Sequence, residues 1–166
     1  MSDTTPRLAL PLLAPGQAQK EMFHNEALAR IDAALHAVAQ ALGDDDPPAA
    51  PVSGQCWITG GAPTGAWAGQ AGVLAAWTDG GWRFVAPMPG MIAWLAGAGV
   101  YARFDGAAWR IGELVADTLV IGGQQVVAAR QPAIAAPAAG TTVDTESRAA
   151  LTAILMALRT HGLIET

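Results

Sequence analysis

Apolar positions recur along this chain with two different periods. Leu28, Ile31, Leu35, Val38 and Leu42 follow one another at spacings of three and four, the a/d seam of a coiled coil rather than the broader stripe of a globular helix. Asn25 stands where an N-cap would, Glu26 suits the positive end of the helix dipole, and Gly43 supplies a C-terminal stop. The spacing predicts a helix over 25–42. Ser147, Leu151, Ile154, Leu158 and His161 space in the same way near the other end, with Leu155 widening the stripe. Asp144 or Thr142 caps that second helix, Glu146 sits in its first turn and Gly162 ends it. Two or three heptads make a helix that is marginal alone, so each either packs on its neighbours or associates with other copies.

Between these helices the period falls to two. Short strands are predicted at 56–59, 73–77, 82–86, 91–95, 100–104 and 108–111, with Asp79-Gly80 and Asp105-Gly106 as hairpin turns. This stretch is written twice. Pro51-Val52-Ser53-Gly54 is echoed by Pro87-Met88-Pro89-Gly90, an offset of 36. The run from Gly72 to Arg83 is echoed by Gly99 to Arg110, an offset of 27. The change of offset places about nine extra residues in the first copy, around 62–70. Two three-stranded units follow, each too small to stand alone and expected to pack on the other. A repeated β unit of this kind builds a scaffold or a binding surface more readily than a catalytic pocket.

The expected fold is therefore α+β, an antiparallel duplicated β module flanked by two heptad helices. The segments are 1–43, an extended stretch and helix for attachment or trimerisation; 44–50, a charged, proline-rich linker; 51–114, the duplicated module; and 115–166. The last holds two strands, 117–121 and 125–129, a Pro/Ala connector over 131–140 and the final helix. The residues placed at a trimer axis are Leu28, Ile31, Leu35, Val38 and Leu42, then Leu151, Ile154 and Leu158.

Composition narrows the function. Hydrophobic residues make up 52%, but Ala supplies much of that, and 19 Gly with 11 Pro suit thin layers rather than one deep core. A chain whose apolar surface is divided in this way needs copies of itself to bury it. The net charge is −5 and Lys20 is the one lysine, which argues against a nucleic-acid partner. The single Cys56 excludes an internal disulfide. The first residues lack the basic start and long apolar core of a signal peptide, and no run approaches the length of a membrane span.

Catalytic groups do not assemble. His24, His36 and His161 lie on separate segments without ligand spacing, so no metal site is expected. Cys56 has no local base. Asp79 and Asp105 match through the duplication and are explained by their turns, not by a glycosidase dyad. Gly60-Gly61 and Gly122-Gly123 lack the Lys and helix of a phosphate loop. The expectation is no enzyme and no cofactor. Six Trp remain. Most are expected to fill the small core, but a Trp face also stacks on the CH face of a sugar ring. Trp67, Trp77, Trp82 and Trp109 are the candidate carbohydrate contacts, Trp67 above all because it stands in the insertion that one copy lacks.

The run from Leu8 through Gln17-Ala18-Gln19-Lys20-Glu21 to His24-Asn25-Glu26-Ala27-Leu28, the pieces Gly65-Ala66-Trp67 and Asp105-Gly106-Ala107-Ala108-Trp109, and the tail from Val127 to Ile164 have a familiar cast. They resemble a domain-of-unknown-function family encoded in alphaproteobacterial prophages and gene transfer agents beside tail and head-decoration genes. The resemblance carries no catalytic residue. It implies a short fibre, spike or adaptor of a phage-like particle, assembled in the host cytoplasm as a homotrimer. Its partners would be other particle proteins and host capsular or surface polysaccharide. The alternative is a stand-alone carbohydrate-binding module.

Overall fold

The computed structural model describes residues 3–14, 16, 20–127, 129–136 and 144–165. They form two compact units, 1–113 and 114–166, in an α+β chain.

The first unit opens with a tight loop in which Thr5 N donates to Leu10 O and Leu12 N to Asp3 O. Helix α1 spans Lys20–Ala34, with Glu21 in its first turn. Asn25 lies inside it rather than capping it. Its side-chain amide exchanges two hydrogen bonds with the backbone of Leu13, at 2.9 and 3.0 Å. The helix stops where His36 turns to a φ of +48°. Arg7 holds that stop: its guanidinium donates to the carbonyls of Asp32, Ala33 (3.1 Å), Leu35 (3.3 Å) and His36 (2.6 Å), the groups a helix end leaves unpaired.

Beyond it the chain is a strand, β1, Ala37–Asp44. The predicted heptad helix therefore does not exist past residue 34, and Val38 and Leu42 lie on β1. Gly43, expected as a helix stop, is a strand residue with φ +97°. The reason is packing. β1 is the central strand of a seven-stranded sheet of order β4-β3-β2-β1-β5-β6-β7, and small Ala37 and Ala39 are buried beneath its neighbours. Tertiary burial overrides the helix preference of an Ala-rich segment.

The remaining strands are β2 Cys56–Thr59, β3 Leu74–Thr78, β4 Gly81–Val85, β5 Ile92–Leu95, β6 Val100–Phe104 and β7 Trp109–Ile111. Each copy is a three-stranded antiparallel unit. The copies do not stack. They flank β1 edge to edge, and both β2 and β5 run parallel to it, so the sheet is mixed rather than purely antiparallel. The duplication reaches the hydrogen bonds: Gly54 N to Trp77 O at 2.8 Å is repeated by Gly90 N to Phe104 O at 2.8 Å, and Trp77 N to Gln55 O at 2.9 Å by Phe104 N to Met91 O at 2.9 Å. In the first hairpin turn the positive φ falls on Gly81 rather than Gly80.

Flanking one strand in parallel relates the copies by an approximate two-fold axis along β1. That rotation turns one copy's faces over relative to the other's. The inner face holds Ala37, Ala39, Cys56, Ile58, Leu74, Ala76, Ala93, Leu95 and Ala102, with α1 packed on β3 and β4. In a flat sheet β3 and β7 would stand about 24 Å apart, five strand spacings. Trp109 Nε1 nevertheless donates to Gly72 O at 2.9 Å. The sheet therefore curls around its inner face.

The second unit holds a hairpin, β8 Leu119–Ile121 with β9 Gln124–Val127, and helix α2, Thr145–Thr160. Asp144 caps α2, accepting from Ser147 N at 2.9 Å; Thr142, the other candidate cap, lies outside the described residues. So do residues 137–140 of the Pro/Ala connector. Gln131 binds the end of the chain through Leu163 O (3.0 Å) and Glu165 N (2.8 Å). Every strand residue here is exposed, and among the described apolar residues of this unit Leu155 and Ile164 are the buried ones.

Candidate functional site

The outer face of the sheet is aromatic along its length and is covered on one half only. On the first copy Trp57, Trp77, Trp82 and Phe84 project from β2, β3 and β4 around Ala75. The insertion of that copy folds over them. Its single 3-10 turn, Gly65–Trp67, drops Trp67 onto the cluster, fully buried at 0% exposure. The Trp67 ring lies 5.2 Å from Trp82 in an edge-to-face arrangement at 79°, and Trp82 also meets Trp57 at 5.6 Å and Trp77 at 5.0 Å.

The acidic residues expected to form a solvated linker hold this insertion in place. Asp45 accepts from Ala62 N at 2.9 Å through its side chain and from Thr64 N at 2.8 Å through its backbone, and Asp46 accepts from the Thr64 hydroxyl. Gly60 N donates to Asp44 O at 2.7 Å.

The second copy has no insertion, and its half of the outer face is open. Trp94 and Tyr101 are cross-strand partners there, centroids 4.9 Å apart at 72°, with exposures of 36% and 59%. Val38 lies beside Trp94 on β1. The next row pairs Ile92 with Arg103 and Arg103 with Arg110. Gly112, whose amide donates to Tyr101 O at 2.8 Å, adds no side chain beside the Tyr101 ring. In the first copy the positions of Trp94 and Tyr101 are Ile58 and Leu74, paired in the same register and wholly buried. The two-fold relation turns this pair of positions from the core in the first copy to the surface in the second.

Residues 24–110, just over half of the chain, match the family described as Protein of unknown function (DUF2793). The chain belongs to this family. No curated protein matches it. In this DUF2793 chain the matched span starts within α1 and ends in β7, so it holds β1 and both copies of the module.

The tryptophans chosen from the sequence of this DUF2793 chain are mostly interior. Trp67 presents no ring face to a ligand. Trp77 and Trp82 are half-buried in the cluster, and Trp109 is spent on closing the curl. Trp94 and Tyr101, not singled out from the sequence, form the exposed aromatic pair. The signal that could have found them is in the repeat, where aromatic residues replace the aliphatic pair Ile58 and Leu74.

The residues assigned to a trimer axis divide. Leu28 is half-buried on α1, Ile31 is exposed there, and Leu35 is exposed just past the helix end. With Val38 and Leu42 on β1, the five share no helix face. Leu151, Ile154 and Leu158 do share α2, the first two exposed and the third half-buried.

Titratable groups are tied to structural tasks. Burial pushes the Cys56 thiol up to about 11, with Arg7 pulling it down and Asp32 pushing it further up. Asp105 accepts from Ala108 N and Ala107 N at 2.8 Å each and from Arg110 at 2.6 Å, which holds its carboxyl well below the usual carboxylate range. Glu26 is raised by partial burial but brought below its ordinary value by hydrogen bonds from Arg30 (3.0 Å) and Arg83 (2.6 Å). Among the described residues no three His, Cys, Asp or Glu gather where a metal could sit, and no helix is long and apolar enough to cross a membrane. A cleft of about 1110 Å³ lies between the N-terminal loop and α1, walled by Leu12, Leu13, Met22 and Phe23 with Glu26 and Arg83 at its floor.

Proposed function

We propose that this chain is a non-catalytic structural component of a phage or gene-transfer-agent particle, a short fibre, spike or adaptor that works as a homotrimer. Its partners are other particle proteins and host surface polysaccharide. The resemblance of its terminal segments to proteins of such particles supports the setting.

The observation that carries self-assembly is the second unit. A two-stranded hairpin is marginal in water, and a helix of sixteen residues is little better. Here both expose their apolar residues: Ile121, Val126 and Met156 are open, and Leu151 and Ile154 on α2 are 48% and 55% exposed. Such a module is completed by copies of itself. Leu151, Ile154 and Leu158 recur at the spacing of a helical seam, and β-branched Ile154 within it is compatible with three strands.

Light scattering of the purified chain tests this. The expected mass is that of three chains of 17.0 kDa each, lost in Ile154→Asp and Leu158→Asp but kept in Leu35→Asp, which lies on no helix. A monomeric wild type overturns the trimer. The open pair Trp94 and Tyr101 favours a second reading, a stand-alone carbohydrate-binding module, which a glycan-binding monomer would support.

A further inference from the structure

We propose that the open half of the outer sheet face, Trp94 and Tyr101 with Arg103 and Arg110, is a binding site for an anionic polysaccharide. This deepens the polysaccharide contact proposed above and rests on it.

Three observations point to this ligand. The first is the platform. Two aromatic rings locked edge to face at 4.9 Å on a sheet stand open on the surface, while the first copy's half of the same outer face is sealed by Trp67. Rings held by cross-strand pairing offer flat apolar area at little entropic cost, the surface a sugar ring stacks on.

The second is charge. Register puts Arg103 and Arg110 on the same face, two residues or about 7 Å along from Tyr101. Lys and Arg total nine in a chain of net charge −5, and two arginines stand in adjacent pairing positions beside one aromatic pair, with the carboxylates of Asp105 and Glu113 at their flank. Neither is fully engaged. Arg103 approaches Glu113 at 4.0 Å, too far for a direct hydrogen bond; its Nε is buried, so only the outer end of its guanidinium can meet a ligand. Arg110 gives its Nε to Asp105 at 2.6 Å and remains half-exposed. Guanidinium forks of this kind take carboxylate or sulfate oxygens.

The third is access. Gly112 beside Tyr101 has no side chain and nothing within 4 Å of where one would start, which leaves the ring flank open along the sheet.

Polygalacturonate and dextran are the probes, one a polyuronate and the other neutral, in affinity electrophoresis of the full chain. The expected result is retardation by polygalacturonate but not by dextran, weakened at least about tenfold in Trp94→Ala, Tyr101→Ala and Arg103→Gln. Equal retardation by dextran overturns the anionic class. Retardation unchanged by all three substitutions, or none in the wild type, overturns the site. Light scattering on the same samples separates this from assembly. A trimer that ignores polygalacturonate sinks the site alone, and a monomer that binds it through Trp94 sinks the trimer alone. A mass that falls in Trp94→Ala means a second copy occupies the face, which also overturns the proposal.

Discussion

Asp32, buried near the end of α1, accepts a hydrogen bond from the Thr5 hydroxyl at 2.7 Å across 27 residues of chain. The same carboxylate accepts from Arg7 N at 3.1 Å and Leu8 N at 2.6 Å. It gathers the N-terminal loop so that Arg7 can reach the carbonyls at the helix end. Asp32→Ala leaves three donors without their acceptor and loosens the Arg7 clamp. The expected loss is about 3 kcal/mol, because the buried Thr5 hydroxyl and the part-buried amides of Arg7 and Leu8 lose their common acceptor together. Urea melts of Asp32→Ala and Thr5→Val test it. A loss under about 1 kcal/mol for Asp32→Ala would show that water replaces the carboxylate and that the lock is dispensable.

Trp67 and Trp94 should respond oppositely to truncation. Trp67→Ala removes a fully buried ring packed on Trp57 and Trp82, and the expected cost is about 3–5 kcal/mol. Trp94→Ala removes a partly exposed ring and is expected to change stability by under about 1 kcal/mol. Thermal melts of the two variants beside wild type settle the ranking. Comparable losses would mean that the open face is a second core.

Much of the β module was legible because its signals are local. Asp-Gly turns, short alternating runs and the repeat itself place β2 to β7 within a residue or so. Asp144 and the stripe through Leu158 likewise place α2. What was not legible depends on partners distant in sequence. Residues 37–42 read as helix because Ala is a helix former and Leu35, Val38 and Leu42 happen to space as a seam. Their strand state follows from pairing with β2 and β5, up to 56 residues away at Ala37 and Ala93. Asp45 and Asp46 read as linker for the same reason, since their partners lie on the insertion at Ala62 and Thr64. The exposed aromatic pair was hidden by symmetry. A repeat suggests equivalent environments, but the two-fold along β1 exposes Trp94 and Tyr101 in the second copy where it buries Ile58 and Leu74 in the first.

Gly60 allows β1 and the insertion to meet. A Cβ built there would lie 2.2 Å from Asp45 Oδ1 and 2.5 Å from Gly43 O. The second contact is backbone and cannot swing aside. Gly60→Ala is therefore expected to cost about 2 kcal/mol by forcing β1 and the insertion apart, within the range of overpacked sites. Gly61→Ala, one residue on and open on all sides, is the matched control with a change within about 0.5 kcal/mol. Equal melting temperatures for the two variants would place the insertion elsewhere.

Cys56 couples the core to pH. Its thiol is wholly buried on β2, and burial raises its pKa from an ordinary value near 9.0 to about 11. Below pH 9 both folded and unfolded chains hold the proton, so the thiol adds no pH dependence. Between about 9 and 11 the unfolded chain releases it while the folded chain keeps it, and stability must fall as pH rises. The buried thiol is also a poor nucleophile, because the thiolate is the reactive form and solvent does not reach it. A disulfide reagent at pH 8 is expected to label Cys56 only as fast as the chain opens. Adding urea through the unfolding transition should release the full rate of a free thiol. Labelling of the native chain at that full rate would move Cys56 out of the core, and with it the β1–β2 pairing around which both copies are arranged.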